Sequence, residues 1–377
     1  MKFSTLRTLG LGFTEEEYEL YRFAELKYPH DASRYLSNRI NNTHFRPTVN
    51  NCAQKHLLED KWATHLYFSS LSLPVPQTYG IYDEAIGMTP SGASLKTPND
   101  LRHQINKDNA LPDKLVFKPR GGRQGRNIII AELKQDDNDL LWFNSSDENL
   151  TLDNFLEKLP SNAFQDYDGG YHGWLVQRYI NQHPFMLEIN PHTVNTFRVI
   201  TFIDHNKNCK IHMAALRLGR KGSAADNWDK GGISVGVDLE RGRLGKGVFK
   251  PSYGGQWVSY HPDTKVKFEG RIVPDWDAII ETCKRASMSL SGVRSIGWDI
   301  AYTPKGPVII EGNAEWSLPL TQVHTKGYLS DEVRLDLSKF GLTFPSRLPK
   351  TIPSITHYLN RQWRKSKGPR LLKSLGS

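Results

Sequence analysis

The sequence has few cysteines and no long apolar run, and both shortages narrow the class of protein. Its three cysteines, Cys52, Cys209 and Cys283, are too widely spaced for a zinc motif or a disulfide framework, which indicates a reducing cytoplasm. No apolar run approaches the ~20 residues of a membrane span, so we expect no integral membrane protein. The first residues lack the apolar core of a secretory signal and turn acidic at Glu15, so we expect no signal peptide.

Acidic residues are also absent after Asp336. The chain has 49 lysines and arginines against 40 aspartates and glutamates, which gives a formal net charge of +9. Nine of the basic residues follow Asp336, so the body that precedes them carries no net charge. A nucleic-acid-binding body needs positive charge spread over one face. We therefore expect no nucleic-acid partner.

The sequence pattern predicts an α+β protein with mostly antiparallel pairing. The 377 residues suffice for two or three domains. Thr14 followed by carboxylates predicts a helix over 14–40, and a second helix is expected over 56–70. From residue 114 the pattern becomes β-rich, and an amphipathic helix is expected over 274–290. The predicted strands cover 115–119, 127–133, 174–180, 195–204 and 209–219, followed by hairpins at 233–244 and at 297–302 with 307–313.

A loop rich in glycine and arginine, residues 118–126, separates two of these strands. Its glycines let backbone N–H groups approach an anion, and its four cations suit phosphate oxygens. The loop lacks the GK[ST] ending and is followed by a strand, so it is neither a Walker A loop nor a Rossmann fingerprint. Taken alone, the loop is more often a tight hairpin tip with solvated arginines.

The last predicted hairpin brings two carboxylates face to face. Its turn, Thr303 to Gly306, fits a type I turn closed by a glycine of positive φ, which is the common three-residue hairpin with a bulge. This turn pairs Thr303 with Pro307, and the same register places Asp299 opposite Glu311. A register different by one residue would separate the two acids.

Asn313 completes a set of oxygen ligands, because it follows Glu311 by two residues and shares its face of the strand. Two facing carboxylates repel each other unless a cation or a shared proton lies between them. Carboxylate and amide oxygens suit Mg²⁺, which commonly binds one or two carboxylates together with nucleotide phosphates. Asp299, Glu311 and Asn313 therefore predict a magnesium site. The alternative is a solvated hairpin face whose acids pair with lysines.

Four motifs, taken in order, resemble the ATP-grasp superfamily. They are a lysine opening a helix (Glu59-Asp60-Lys61), a strand lysine before a Gly-rich loop (Phe117-Lys118-Pro119), a linker strand (175–180) and Asp299 followed by Glu311-x-Asn313. The segments NTFRVITF, DNWDKGGISVGVDLERGRL and GWDIAYTPKGPVIIEGNAEW are similar to the sugar-transfer-associated branch of that superfamily. The resemblance covers about residues 55–320.

The resemblance implies an ATP-grasp fold, in which two α/β lobes grip ATP. The implied parts are an N-terminal helical segment (1–50), an N-terminal α/β part with a phosphate-contact lysine (51–113), a central lobe with the Gly-rich loop and linker strand (114–180), a C-terminal lobe with the magnesium site (181–330) and a basic tail (331–377).

The resemblance also implies roles for individual residues toward ATP and Mg²⁺. Phosphate contacts are expected from Lys61, Lys118 and a loop that closes over the γ-phosphate and includes Arg120, Gly121, Gly122 and Gly125. Adenine contacts are expected from Gln177 and from the backbone of Arg178, Tyr179 and Ile180. The ribose contact is open between His183 and Glu188. The metal ligands would be Asp299, Glu311 and Asn313.

Two arginines on neighbouring strands, Arg198 and Arg217, are candidate catalytic residues. Positioned cations stabilise the charge that develops in phosphoryl transfer, and they also clamp carboxylates. The alternative is that both arginines form ordinary ion pairs. Family motifs assign no role to Asn195, Asp226 and Asn227.

The resemblance implies a carboxylate–amine ligase that uses ATP and Mg²⁺ to form an amide through an acyl phosphate. Its small-molecule substrates would be a sugar-linked compound and an amino acid, in polysaccharide or sugar-conjugate synthesis. Two alternatives are a kinase that stops after phosphoryl transfer and an adaptor with a degenerate ATP site.

The basic tail contains an amphipathic pattern over residues 354–373, with apolar residues at helical spacing and cations between them. Such a helix is typical of a surface that lies on anionic lipid, which would place the protein at the inner face of the membrane. The alternative is that the apolar side chains pack on the body of the protein.

Overall fold

A computed structural model describes most of the chain as two antiparallel sheets with helices packed on them. The α+β class and the mostly antiparallel pairing predicted from the sequence are confirmed. Gly125 and residues 345–377 lie outside the described part. The described residues are 11–26, 28–122, 126–136, 141–145, 148–160, 171–223 and 225–344.

The first sheet has six strands, and it is built from the region before residue 180. Helices α5 (Pro98–Ile105) and α6 (Leu152–Glu157) bury their apolar residues against one face of this sheet. The strands, in the order β1-β6-β2-β3-β4-β5 across the sheet, are β1 (Thr78–Tyr82), β2 (Lys114–Pro119), β3 (Ile129–Gln135), β4 (Leu141–Ser145), β5 (Glu148–Thr151) and β6 (Trp174–Arg178).

The second sheet has seven strands and is covered on both faces, so its inner strand β7 (Thr196–Ile203) is buried at every position. Helix α8 (Trp276–Ser289) packs on one face, while α9 (Leu318–Gln322) and α10 (Asp331–Ser338) belong to the core on the other. The strand order is β11-β10-β9-β8-β7-β12-β13, with β7 (Thr196–Ile203), β8 (Cys209–Leu218), β9 (Ile233–Val237), β10 (Leu244–Phe249), β11 (Trp257–Val258), β12 (Ser295–Thr303) and β13 (Gly306–Asn313). A short helix, α7 (Pro184–Ile189), precedes β7.

Helix α4 (Lys61–Ser70) lies between the two sheets. Its first turn places Trp62 against Ile81 and Leu175 of the first sheet. Its last turn places Phe68 against Trp298 of the second sheet, with 5.8 Å between the ring centroids. Lys61, the first residue of the helix, therefore lies where the sheets meet.

The N-terminal segment is not the single helix predicted over 14–40. The predicted cap is confirmed, because the Thr14 hydroxyl accepts a hydrogen bond from the Glu17 N–H at 3.2 Å. The helix stops early because Arg22 adopts a φ of 53°, in the left-handed region that a right-handed helix cannot contain. The segment instead consists of short helical pieces. These are α1 (Glu15–Leu20), 3-10 turns at Phe23–Glu25 and Pro29–Arg34, α2 (Asn38–Ile40), a π turn at Asn41–Phe45 and α3 (Arg46–Val49).

The helix predicted over 56–70 begins five residues late. Ala53–Leu58 forms a 3-10 turn instead, and α4 starts after Asp60, which caps its N-terminus. Strand β1 also lies before the predicted boundary at residue 113 and yet pairs with β6. The sheets therefore do not divide at that boundary, and the division into parts stays a prediction.

The turn of the last hairpin differs from the predicted one. Thr303 pairs with Gly306 and not with Pro307, so the loop has two residues and not three. The register then shifts between Asp299 and Ile300, where an extra residue on β13 forms a bulge. The bulge restores the predicted offset, so Asp299 does face Glu311.

Candidate active site

Four neighbouring strands of the second sheet bring the charged residues of the site into one row. Asp299 on β12 has Glu311 of β13 on one side and Arg198 of β7 on the other. Arg217 on β8 is two positions from the residue that faces Arg198, so it lies on the same face of the sheet. The pairing of the strands thus places two carboxylates and two guanidinium groups together.

Both arginines bind Asp299. Arg198 donates from Nε to Oδ1 at 2.5 Å and from Nη2 to Oδ2 at 2.9 Å, and Arg217 donates from Nη1 to Oδ2 at 2.8 Å. Burial alone would raise the pKa of Asp299, but the two guanidinium groups hold this pKa well below its ordinary value. The carboxylate therefore stays ionised at neutral pH.

Asp226 binds the other end of Arg217. The Nη2 of Arg217 lies 2.9 Å from Asp226 Oδ1. The second oxygen of Asp226 accepts hydrogen bonds from the N–H and the hydroxyl of Thr196, at 2.8 and 2.5 Å. Burial raises the pKa of Asp226 to about 6 although Arg217 opposes this shift. The sequence assigned no role to Asp226, because it lies in a loop that no strand register could place.

The three predicted metal ligands fit Mg²⁺ by their chemistry. They present two carboxylates and one amide, and these oxygen ligands are the type that Mg²⁺ prefers. The amide nitrogen of Asn313 donates to Glu311 Oε1 at 3.1 Å, which places the two side chains in contact. Asp299 already accepts three hydrogen bonds from the two arginines, so few lone pairs of its carboxylate remain for a cation. Within the described residues, no group of three or more His, Cys, Asp or Glu side chains could hold a metal.

Lys61 binds the backbone of the Gly-rich loop. Its ammonium donates to the carbonyl oxygens of Gly121 at 3.1 Å and Gly122 at 2.6 Å. Gly122 has a φ of 107°, which favours glycine at this position. The predicted phosphate contact thus lies beside the described end of the loop that was expected to close over the phosphates.

Arg120 is paired with an acid in this structure, and its contact with phosphate stays a prediction. Its guanidinium binds Asp60 with two hydrogen bonds, Nε to Oδ1 at 2.9 Å and Nη2 to Oδ2 at 2.6 Å. Asp60 Oδ1 also accepts from the N–H groups of Trp62 and Ala63 as the cap of α4. Arg120 therefore holds the start of α4 against the loop, and its charge is paired with Asp60.

Replacing Asp60 tests this arrangement. We expect Asp60→Ala to lower the free energy of unfolding by about 2–3 kcal/mol, because it removes a helix cap and leaves Arg120 unpaired. Asp60→Asn should cost less, because its amide oxygen still accepts from Trp62 and Ala63. Urea denaturation measures both variants, and equal losses would contradict the capping role of Asp60.

Lys118, on β2, lines a narrow cleft between the two sheets together with Lys61 and Asp299. Burial lowers the pKa of its ammonium to about 8; Lys61 adds to this shift, and Glu311 opposes it. The lysine is thus charged at neutral pH, but it loses its proton in mildly alkaline solution.

This pKa predicts a pH-dependent affinity for nucleotide. As the pH rises through about 8, Lys118 loses the charge that attracts phosphate, so the affinity for ADP should fall roughly tenfold between pH 7 and pH 9.5. Lys118→Arg keeps its charge over this range and should flatten the dependence. Calorimetric titration with ADP measures both proteins, and identical pH profiles would exclude Lys118 as the cause.

The predicted adenine contacts lie together on the linker strand. Gln177, Arg178, Tyr179 and Ile180 all line the cleft. The amide nitrogen of Gln177 donates to the Thr78 hydroxyl at 2.9 Å, which fixes the orientation of the amide. The N–H groups of Arg178 and Tyr179 donate to the carbonyls of Gln77 and Lys114. These two N–H groups are therefore engaged within the sheet, and the adenine contacts of the linker strand stay a prediction.

Both candidates for the ribose contact make other contacts in this structure. His183 caps α7, where its Nδ1 accepts from the Phe185 N–H at 3.0 Å, and its ring stacks on Tyr302. Glu188 binds Arg271 at 2.5 Å. Neither residue lines the cleft within the described part of the chain, so the ribose contact stays a prediction.

Two clefts meet at the row of charged residues. A narrow cleft with a volume of about 160 Å³ lies between the sheets and contains Lys118, Gln177 and Asp299. A wider cleft with a volume of about 970 Å³ adjoins it and contains Arg198 and Asn313. Both clefts share a set of lining residues: Leu58, Lys61, Gly122, Arg217, Ala225, Glu311 and Gly312.

Asn195 has a structural role that its place in the sequence did not show. It is fully buried. Its amide nitrogen donates to Gln182 Oε1 at 2.9 Å, and its amide oxygen accepts from Asn190 Nδ2 at 2.8 Å. This network ties the segment before β7 to the start of that strand, next to Thr196, which holds Asp226.

Several solved structures are similar to the chain. The biotin carboxylase domain of Hydrogenobacter thermophilus 2-oxoglutarate carboxylase has 13% identity and a TM-score of 0.38, over 70% of this chain and 41% of that one. The L-amino acid ligase of Bacillus licheniformis has 12% identity and a TM-score of 0.38, over 71% of this chain and 42% of that one. A RimK domain protein of Sphaerobacter thermophilus has 14% identity and a TM-score of 0.36, over 74% and 69%. The chain thus spans less than half of the length of the first two.

No curated protein sequence matches the chain. A family described as sugar-transfer associated ATP-grasp matches residues 40–334, which is more than three quarters of the sequence. The match includes the linker strand, both arginines and the three predicted metal ligands. The chain therefore belongs to the sugar-transfer associated ATP-grasp family.

Proposed function

We propose that the protein is an ATP- and Mg²⁺-dependent carboxylate–amine ligase that builds a sugar conjugate or polysaccharide precursor. One observation carries the proposal: a narrow cleft with two lysines for phosphate opens into a wider cleft at Glu311 and Arg217. A nucleotide in the first cleft would present its γ-phosphate to an acceptor in the second. Membership of the sugar-transfer associated ATP-grasp family supports the use of ATP in this proposal.

In this proposal the residues of the chain bind and position both substrates. Lys61 and Lys118 would bind the phosphates, and the linker strand would bind the adenine. Asp299, Glu311 and Asn313 would hold Mg²⁺, which neutralises charge on the nucleotide phosphates. Arg217 and Arg198 would orient the acceptor carboxylate from the other side of the site and stabilise developing negative charge.

The bond changes of the proposed reaction take two steps. A carboxylate oxygen of the acceptor attacks the γ-phosphorus, and the bond to ADP breaks, which gives an acyl phosphate. The amine then attacks the acyl carbon, phosphate leaves with the electrons of the C–O bond, and the amine loses a proton to water or buffer. The products are an amide, ADP and phosphate.

Mass analysis of products tests the proposal. The full chain is incubated with ATP, Mg²⁺ and paired uronic-acid sugar nucleotides and amino acids. A condensed product that forms only with ATP supports a ligase. A phosphorylated acceptor without condensation would indicate the kinase alternative, and the absence of ATP turnover with every pair would favour an adaptor with a degenerate site. The intact set of Asp299, Glu311 and Asn313 argues against degeneration.

We also propose a cytoplasmic location, with contact to the inner membrane face through the basic tail. In the described part of the chain, the helices are all too short or too polar to cross a bilayer. The amphipathic pattern of the tail, residues 354–373, lies beyond the described residues, so its role rests on the sequence alone.

The membrane contact has a direct test. If the tail binds anionic lipid, the full chain should sediment with vesicles that contain phosphatidylserine at low salt, and a chain that ends at Thr351 should not. Attachment should weaken as salt rises, because the attraction is electrostatic. If the full chain stays in solution, or the shortened chain binds equally well, the tail has no such role.

A further inference from the structure

Gln177 has a cross-strand partner that determines which end of its amide is available to a ligand. Strand β6 pairs with β1 so that Gln177 lies opposite Thr78, and the two side chains share one face of the first sheet. The amide nitrogen of Gln177 donates to the Thr78 hydroxyl at 2.9 Å. Among the described residues, none donates a hydrogen bond to the amide oxygen, although Gln177 lines the narrow cleft. The oxygen is therefore the end of the amide that remains for a ligand.

The Thr78 hydroxyl cannot donate to Gln177, because its single proton is used elsewhere. The hydroxyl donates to the Pro76 carbonyl at 3.0 Å, and a carbonyl can only accept. The hydroxyl oxygen also lies 3.2 Å from Nδ1 of His65 on α4. Since the hydroxyl proton points to Pro76, this ring nitrogen carries the proton of the neutral imidazole and donates to Thr78. Thr78 therefore acts toward Gln177 as an acceptor alone.

The surroundings of His65 suit the neutral ring that this network requires. Burial lowers the pKa of His65 to about 4, so at neutral pH the ring has one donor and one acceptor nitrogen. Its Nε2 lies 3.4 Å from the Ser69 hydroxyl, which can donate to it. The ring also stacks on Trp62, with 6.1 Å between the centroids. If the Gln177 amide turned over, its oxygen would thus face a Thr78 oxygen that has no proton to give.

We propose that Thr78 makes the narrow cleft selective for a purine nucleotide with an amino group at position 6. Because Thr78 holds the amide nitrogen, Gln177 presents its oxygen, which accepts from the amino group of adenine. A 6-oxo purine would instead place its own oxygen against the amide oxygen, with no proton between them. Thr78 is a positioning residue, since it acts through Gln177. The inference rests on the proposed function, in which the linker strand binds the base.

Nucleotide affinities of the unaltered full chain test the selectivity. ADP and inosine diphosphate are titrated separately in the presence of Mg²⁺, and calorimetry measures the two dissociation constants. The two nucleotides differ in the group at position 6 and in the proton on the neighbouring ring nitrogen. ADP should bind roughly tenfold to a hundredfold more tightly, because inosine diphosphate leaves a buried acceptor without a donor. Equal affinities would overturn the inference.

Thr78→Val tests whether the hydroxyl is the cause. Valine has nearly the shape of threonine but lacks the hydroxyl, so the Gln177 amide can turn over and donate to a 6-oxo group. The ratio of the two affinities should fall about tenfold, mainly because inosine diphosphate binds better. A loss of stability lowers the folded fraction for both titrations and leaves this ratio unchanged. Thr64→Val is the matched control, because Thr64 also lines the cleft but donates to the Leu57 carbonyl, and it should keep the ratio.

A double variant distinguishes the orientation of the amide from other effects of the lost hydroxyl. Thr78→Val combined with Gln177→Glu replaces the amide by a carboxylate. Both oxygens of an ionised carboxylate accept, so no rotation presents a donor. The double variant should therefore recover the preference for ADP. If the preference stays lost, the orientation of the Gln177 amide does not set the selectivity.

The outcomes separate this inference from the proposed function. If neither nucleotide binds, the proposed function is wrong and the inference falls with it. If both nucleotides bind equally well, nucleotide binding stands and the inference alone is overturned. Equal affinity ratios for Thr78→Val and Thr64→Val would also overturn it.

Discussion

Glu311→Gln is expected to lower ATP turnover by roughly two to three orders of magnitude and to leave the fold intact. Glu311 faces Asp299, lines both clefts and contacts Asn313. The substitution keeps the size and shape of the side chain but removes the negative charge with which the carboxylate would bind Mg²⁺. ADP release in a coupled assay measures turnover, and the urea midpoint checks the fold.

Glu240→Gln is the matched control for this prediction. The chemical change is the same, but Glu240 is exposed in the loop between β9 and β10, far along the sheet from β13. It should retain ordinary turnover. A second observation adds a readout that does not depend on turnover: Glu311→Gln should weaken the Mg²⁺ dependence of ADP binding. Near-normal ADP production by Glu311→Gln would show that Glu311 is not a metal ligand.

The carboxylate pair shows what the sequence could predict about the site. The alternation of a strand fixes which residues share a face, so Glu311 and Asn313 could be placed together without a structure. The facing of Asp299 and Glu311 was predicted through a three-residue turn, and that turn is wrong. The shorter turn and the bulge compensate for each other, so the predicted pair is correct for a different reason.

The partners of Asp299 could not be predicted in the same way. Strand pairing between β7 and β12 joins segments that are about 100 residues apart, and local pattern does not encode that register. The link from Arg217 to Asp226 depends on the path of a loop. Such contacts depend on how the sheet packs. They form because a buried charge without a partner costs free energy. The sequence could therefore name the arginines as candidates but could not say which acids they bind.

The N-terminal segment shows where local sequence signals fail to predict the structure. Its first turn satisfied every local signal of a helix, and the predicted cap formed. The remainder follows the surface of the second sheet, where Phe23, Ile40 and Phe45 join the core. Tertiary packing selects short turns that place these side chains inward, and it overrides a propensity that favours one continuous helix.

Arg217→Met is expected to reduce the free energy of unfolding by about 3–5 kcal/mol, because it leaves the buried carboxylate of Asp226 without a cation and removes one of the two cations that bind Asp299. Arg217 binds both Asp226 and Asp299, and each acid is at least nine-tenths buried. Arg220→Met is the matched control, since Arg220 binds Asp263 in a more exposed pair. That variant should cost about 1 kcal/mol or less. Urea denaturation at pH 7 measures the free energy of unfolding of both variants. Similar losses would show that burying the ion pairs of Arg217 adds little to stability.

The loss in Arg217→Met should also depend on pH. Burial already raises the pKa of Asp226 to about 6 with Arg217 present, and removal of the arginine raises it further. A carboxyl whose pKa is higher in the folded state than in the unfolded state binds protons on folding, so stability falls as pH rises through the folded pKa. The loss should thus be larger at pH 8 than at pH 5. Adding Asp226→Asn to Arg217→Met should recover part of the stability at pH 8, because the amide carries no charge. If the loss is independent of pH and the double variant recovers nothing, electrostatic pairing is not what Arg217 contributes.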